Sequence, residues 1–251
     1  MLRLFQRKPA PAPPAVLNVA HDGRLYRVAL KRMANSRRFT LRVRAATRDV
    51  VLTMPARGSL KSAREFAERH AAWIGVRLAR LPQPVAFVSG ARIPLRGVEH
   101  LIAHRPQARG VVWTEAGSEP PMLCVAGELA FVARRIEDYL KREARKALGE
   151  AANRHAKAIG VAPSKIALRD TTSRWGSCSS TGGLNFSWRL ILAPPFVLDY
   201  LAAHEVAHLR HMNHSPAFWR VTRGLFPETD KAEAWLRAHG AQLHRFGGET
   251  A

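Results

Sequence analysis

Two histidines four residues apart, set in a stretch with no polar face, constrain this chain more than any other feature. The run is His204-Glu205-Val206-Ala207-His208, and Phe196, Val197, Leu198, Tyr200, Leu201, Ala202 and Ala203 lead into it. A helix that is apolar all round is a buried one. Positions i and i+4 share a helical face, so both imidazoles and the carboxylate beside them enter the interior together. Left unpaired there, they would cost on the order of several kcal/mol. A divalent cation compensates them; the competing reading is a polar core pocket in which the His and Glu side chains satisfy one another and nearby backbone. The spacing is also the one that lets a helix hold a hydrolytic Zn2+, with Glu205 able to take a proton from water without being a ligand.

A third ligand is needed, and His211 and His214 are the candidates. If the helix continued, His211 would lie roughly 10 Å along the axis from His204, too far for metal bonds of about 2 Å. His214 fits better. The chain is expected to turn at Met212-Asn213, with Asn213 in the left-handed conformation that ends helices, and Ser215-Pro216 reads as the N-cap and first residue of a new helix. That leaves His214 in the bend and His211 at the surface or behind the ligands. The offset from His208 to His214 matches the metzincin pattern, but His211 replaces its central glycine and no methionine follows Met212. Glu228 is the lesser alternative, as a downstream carboxylate in the metal's surroundings.

The segments Arg174-Trp175-Gly176-Ser177-Cys178-Ser179, Asn185 to Leu192, His204 to His208 and Asn213 to Trp219 together resemble the YgjP-like metallopeptidase domain family, itself similar to the SprT-like and WLM zinc proteases. The strong motifs span residues 169 to 228, and the layout matches from about residue 22 to 240. The resemblance implies a zincin-type peptidase with His204, His208 and His214 as metal ligands and Glu205 as general base and acid. It implies no particular substrate.

Charge is the second large fact. The net charge is +21, and residues 1–82 hold 18 Lys and Arg against 4 Asp and Glu. Arg42-Val43-Arg44 and its neighbours alternate basic and apolar positions, as half-buried strands with one cationic face do. Such a face suits nucleic-acid phosphate or another anionic partner, or is simply solvated arginine. No zinc finger, RRM signature or basic zipper is present, so nucleic-acid binding there would be salt-sensitive and poorly sequence-specific.

Cys124 and Cys178 are far apart and suggest no disulfide framework, which favours a cytoplasmic setting. Cys178 reads as a small residue in a turn ahead of a reactive thiol or an extra ligand. No uncharged apolar run reaches membrane-spanning length, and prolines 9, 11, 13 and 14 preclude an amphipathic targeting helix.

Along the chain, residues 1–16 read as a disordered Pro-rich tail. Residues 17–126 read as a β-rich basic part: two or three strands to Met54, a helix from Ser59 to about Arg80, and short strands from Ala86 to Val125. Residues 127–251 read as the zincin-like catalytic part. It opens with a long amphipathic helix over 128–159 carrying a surface histidine, His155. Strands follow over 165–170 and 184–192. The Ser/Thr/Gly-rich connection 171–183 lacks Walker spacing; it reads as a loop beside the active site, with Arg174 available for developing negative charge and Trp175 packed beneath. Asn185 to Arg189 is the candidate edge for an extended peptide. After the ligands come a helix over 216–225 anchored by Phe218 and Trp219, and a last helix, capped by Asp230 with Glu233, ending at Gly240.

The fold class expected is therefore α+β, an active-site helix beside a small sheet preceded by a β-rich part. The function expected is zinc-dependent hydrolysis of polypeptide. The alternatives are a metallohydrolase of a non-peptide bond, such as a nucleotide phosphoanhydride, and a nucleic-acid-associated protease.

Overall fold

The computed structural model describes residues 16–44 and 47–247. The tail expected over 1–16 lies outside them except for Val16. The chain forms two compact units, residues 1–82 and 83–251.

In the first unit, β1 (Val16–His21) and β2 (Arg24–Met33) form a hairpin, followed by β3 (Thr40–Val43), β4 (Val50–Pro55), α1 (Leu60–Arg69) and α2 (Ala71–Ala79). Asp22 and Gly23 both take positive φ, the backbone a two-residue hairpin turn requires. The sheet order is β1-β2-β4-β3. Its alternating residues Leu17, Val19, Val28, Leu30, Val50, Leu52 and Met54 meet Ala63, Ala67 and Ile74 of the helices in one core. The register puts Arg27, Lys31 and Arg42, all exposed, on the opposite face. Ser59 caps α1 as expected, its hydroxyl accepting from Ser62 N–H at 3.0 Å. The single helix expected to Arg80 is instead broken at His70.

The second unit begins with β5 (Arg92–Leu95), β6 (Val98–Arg105), β7 (Val112–Glu115) and β8 (Met122–Ala126), ordered β5-β6-β8-β7. Next comes α3 (Val132–Ala158), whose Ile136, Leu140 and Leu148 are fully buried, and which stops at Gly160 with φ +65. Then follow β9 (Lys165–Arg169), β10 (Gly176–Cys178), β11 (Gly183–Ser187), α4 (Pro195–Ala207), α5 (Pro216–Leu225) and α6 (Thr229–Leu243). The division between units falls earlier than the 126/127 boundary expected, because Ile93, Ile102, Leu123 and Val125 share one core with α3 and α4. The α+β class with a β-rich front half holds. Among the described residues no helix is long and apolar enough to cross a membrane.

Three local expectations change. The strand expected over 184–192 runs only Gly183–Ser187, and Trp188–Leu192 is a 3-10 turn that sinks Leu190, Ile191 and Leu192 into the core. His155 is no surface residue: it is 6% exposed, and its Nε2 meets Asp199 Oδ1 at 2.6 Å. The last helix runs past Gly240 to Leu243, and Trp175 packs against α6 at Gly240.

Candidate active site

Helix α4 starts with Pro195 at its first turn, where a missing N–H costs nothing. Its residues Val197, Leu198, Leu201, Ala202, Ala203 and Val206 are buried, so it has no solvated face on which to place polar groups. His204, Glu205 and His208 are consequently held inside, Glu205 at 4% exposure. The helix ends at His208, earlier than a Met212-Asn213 turn implied, and Asn213 is not left-handed. Tight turns take over: Leu209 N–H donates to Val206 O, and both Arg210 and His211 N–H donate to Ala207 O. Ser215 then caps α5, accepting from Phe218 N–H, with Pro216 at its start as expected.

This reversal carries His214 back to α4. One ring nitrogen from each of His204, His208 and His214 lies within 4.8 Å of the others. The Nε2 atoms of His204 and His214 are 3.2 Å apart, close to the roughly 3.3 Å between nitrogens on a tetrahedral metal with bonds near 2.05 Å. The Nδ1 atoms of His208 and His204 are engaged. His208 Nδ1 lies 3.0 Å from His211 O, a contact that fixes its proton there and turns Nε2 toward the cluster. His211 thus serves through its backbone, and its ring is not in the cluster.

His204 Nδ1 lies 3.2 Å from the Tyr200 hydroxyl, which donates to Glu233 Oε1 at 2.8 Å. Glu233 therefore orients the His204 ring through Tyr200; it does not form a capping box, since α6 has no side-chain cap. Glu228 pairs with Lys231 at 2.9 Å and is no part of the cluster. Beneath the rings Phe218, fully buried, stacks on His208 at 4.4 Å and meets His204 and His214 edge-on at 4.9 and 4.8 Å.

The electrostatics suit a cation. Burial, with the neighbouring His208 and His214, lowers His204 to about 4. Burial lowers His208 too, although its backbone hydrogen bond opposes this. Both rings are thus neutral near pH 7, the state that ligates metal. Burial pushes Glu205 up to about 8, with Arg174 pulling the other way. Burial and Glu233 hold the Tyr200 phenol far above its ordinary value. Three converging imidazoles over an aromatic floor are a donor set that fits a divalent metal such as zinc.

The small sheet is ordered β10-β11-β9. This corrects the edge read at Asn185 to Arg189: β11 is the central strand, antiparallel to β10 and parallel to β9. The edge beside α4 is β10. Its Gly176 lies so close to Glu205 that a Cβ would overlap the carboxyl group. Cys178 sits on this strand, not in a turn, and burial and the Glu205 charge raise its thiol pKa, which favours the protonated thiol. Trp175 stacks on His244 at 4.8 Å.

Two cavities adjoin Gly176. One, of about 390 Å³, runs from His204 and Glu205 past Tyr200 and Leu201 to Trp175 and Leu236. The other, of about 300 Å³, is walled by β9, β11 and the 171–174 loop. Sequence reasoning missed Tyr200, Glu233 and Gly176. Of these only Gly176, a glycine after Trp175 in a polar stretch, carried a local signal.

The sequence profile of the YgjP-like metallopeptidase domain family matches residues 37–239. No curated protein matches. Among solved structures, the crystal structure of the metallopeptidase zymogen of Pyrococcus abyssi abylysin is similar at 20% identity and a TM-score of 0.33, over 37% of this chain and 92% of that one.

Proposed function

This chain belongs to the YgjP-like metallopeptidase domain family, and from that premise we propose that it is a cytoplasmic zinc-dependent endopeptidase using His204, His208 and His214 as ligands and Glu205 as general base and acid. The observation that carries the reading is the convergence of three ring nitrogens within 4.8 Å beside a buried carboxylate. Both cysteines are free thiols, which suits a reducing compartment.

His204, His208 and His214 would hold the cation, which when bound would supply a water of near-neutral pKa and a Lewis acid for the scissile carbonyl. Tyr200 holds His204 in the tautomer with Nε2 free, and His211 O does the same for His208. Glu205 takes the proton of the attacking water on its carboxylate and returns it to the leaving amine nitrogen. Among the described residues β10 pairs with β11 alone, so its outer edge offers backbone N–H and C=O groups to an extended polypeptide next to Glu205.

Incubating the purified protein with an unfolded polypeptide tests this. The expected result is fragmentation that stops with chelator and returns with added Zn2+. Cleavage indifferent to chelator contradicts the reading.

A further inference from the structure

The smaller cavity beside Gly176 is lined by none of the three clustered histidines and not by Glu205, although Arg174 on its wall also acts on the Glu205 charge. Its polar lining is Arg169, Thr171, Ser173, Arg174, Ser177 and Asn185: two guanidinium groups, three hydroxyls and a carboxamide, with no carboxylate. Neither arginine has an ion-pair partner among the described residues. Among the described residues the Arg169 side chain makes one hydrogen bond, from Nε to Asn185 Oδ1 at 3.3 Å, which steadies its stem and involves neither terminal nitrogen. The Arg174 backbone is pinned by Thr171, whose hydroxyl donates to Arg174 O at 2.8 Å, while among the described residues its guanidinium makes no hydrogen bond.

Arg189 nearby shows what a structural arginine looks like in this fold. It is bonded to Asp170 through Nε and Nη2 at 2.7 and 3.1 Å and ties Phe246 O with Nη1. Two arginines held by their stems or backbone, both lining one cavity and neither in an ion pair among the described residues, are suited to receive an anion.

Position says which anion. Ser177 lies on β10, the strand whose free edge runs past Glu205, and in the register Ser177 and Asn185 share one face of the sheet. A peptide extended along that edge sends alternate side chains to this face. We propose that the cavity is a subsite selecting an acidic side chain of the polypeptide substrate, a residue or two from the scissile bond, with Arg169 and Arg174 as the selecting groups. The proposal rests on the peptidase reading and deepens it.

The test is a matched peptide series with Glu, Gln or Lys at each position flanking one cleavage site, assayed with the zinc-loaded enzyme at low and high salt. The expected kcat/KM is about tenfold higher for Glu than for Gln at one position, falling with salt. Arg169→Glu is expected to reverse the order and favour Lys. Arg174→Ala should shrink the Glu-to-Gln ratio.

Equal loss on all peptides in Arg174→Ala, with the ratio intact, would instead give Arg174 a role at the reacting carbonyl and remove it from the subsite. Cleavage with no charge preference at any position overturns the subsite while leaving the peptidase reading intact. No cleavage of any peptide, with metal-dependent hydrolysis of a nucleoside triphosphate that Arg169→Glu abolishes, overturns both and assigns the cavity to phosphate.

Discussion

Helices α3 and α4 run through the same core, yet they treat their polar residues in opposite ways. In α3 the apolar positions Ile136, Leu140, Ala144 and Leu148 form one buried stripe, and most charged residues of its 27-residue length stay at least partly in water. Glu137 and Lys141 pair at 2.5 Å there, as exposed i, i+4 partners do. In α4 no solvated face exists, and His204, Glu205 and His208 are carried inside, where burial lowers the imidazoles and raises the carboxyl. An amphipathic helix builds stability. An all-apolar helix with a few polar residues turns burial into chemistry, because each polar group placed in it must be paired, ligated or shifted in pKa.

That contrast can be broken at several points. Replacing Glu205 by Gln keeps the shape of α4 and removes its proton carrier, so turnover should fall by about a hundred- to ten-thousandfold with bound metal unchanged, as steady-state kinetics and metal analysis together would show. Gly176→Ala places a methyl group against the Glu205 carboxyl and should displace it; a shift near 1 Å costs about a hundredfold in kcat. Wild-type kinetics in that variant would mean Glu205 has room to move.

Tyr200→Phe removes the hydroxyl between His204 and Glu233. Metal affinity, read by chelator competition, should weaken about 10- to 100-fold. In α3, Leu140→Ala should cost about 2–5 kcal/mol in denaturant unfolding and leave turnover per folded molecule unchanged.

The smallest effect concerns the seam between the two helices. Asp199 of α4 accepts from His155 and Arg154 of α3. Burial pushes its carboxyl up, but the His155 hydrogen bond and the charges of His155 and Arg154 outweigh this and hold it below its ordinary 3.8. A depressed carboxyl pKa contributes stability above the unfolded value, and that contribution fades as pH drops through the folded one. The stability gap between wild type and Asp199→Asn should be full above pH 4 and close below 3.8; a gap independent of acid would show that the carboxylate charge contributes nothing.

What the sequence made legible follows the same division. The core stripe of α3, the spacing of His204 and His208, and the Ser215-Pro216 start of α5 are local patterns within a turn or two of chain. His214 was reachable because one helix end and one helix start bracket it. The Tyr200–Glu233 and His155–Asp199 contacts join residues 33 and 44 positions apart, and nothing local encodes them. Asn185 to Arg189 alternates like an edge, yet β10 comes before it in sequence and takes that edge. Strand order in so small a sheet is set by long-range packing against α4, which periodicity does not report.

The most direct measurement is metal content of the purified protein by elemental analysis, for wild type and for His204→Ala, His208→Ala, His214→Ala and Glu205→Gln. One equivalent of zinc in wild type and in Glu205→Gln, lost from each histidine variant, is the predicted result. Wild-type protein that binds no divalent metal when offered it, or histidine variants that keep a full equivalent, would contradict the account.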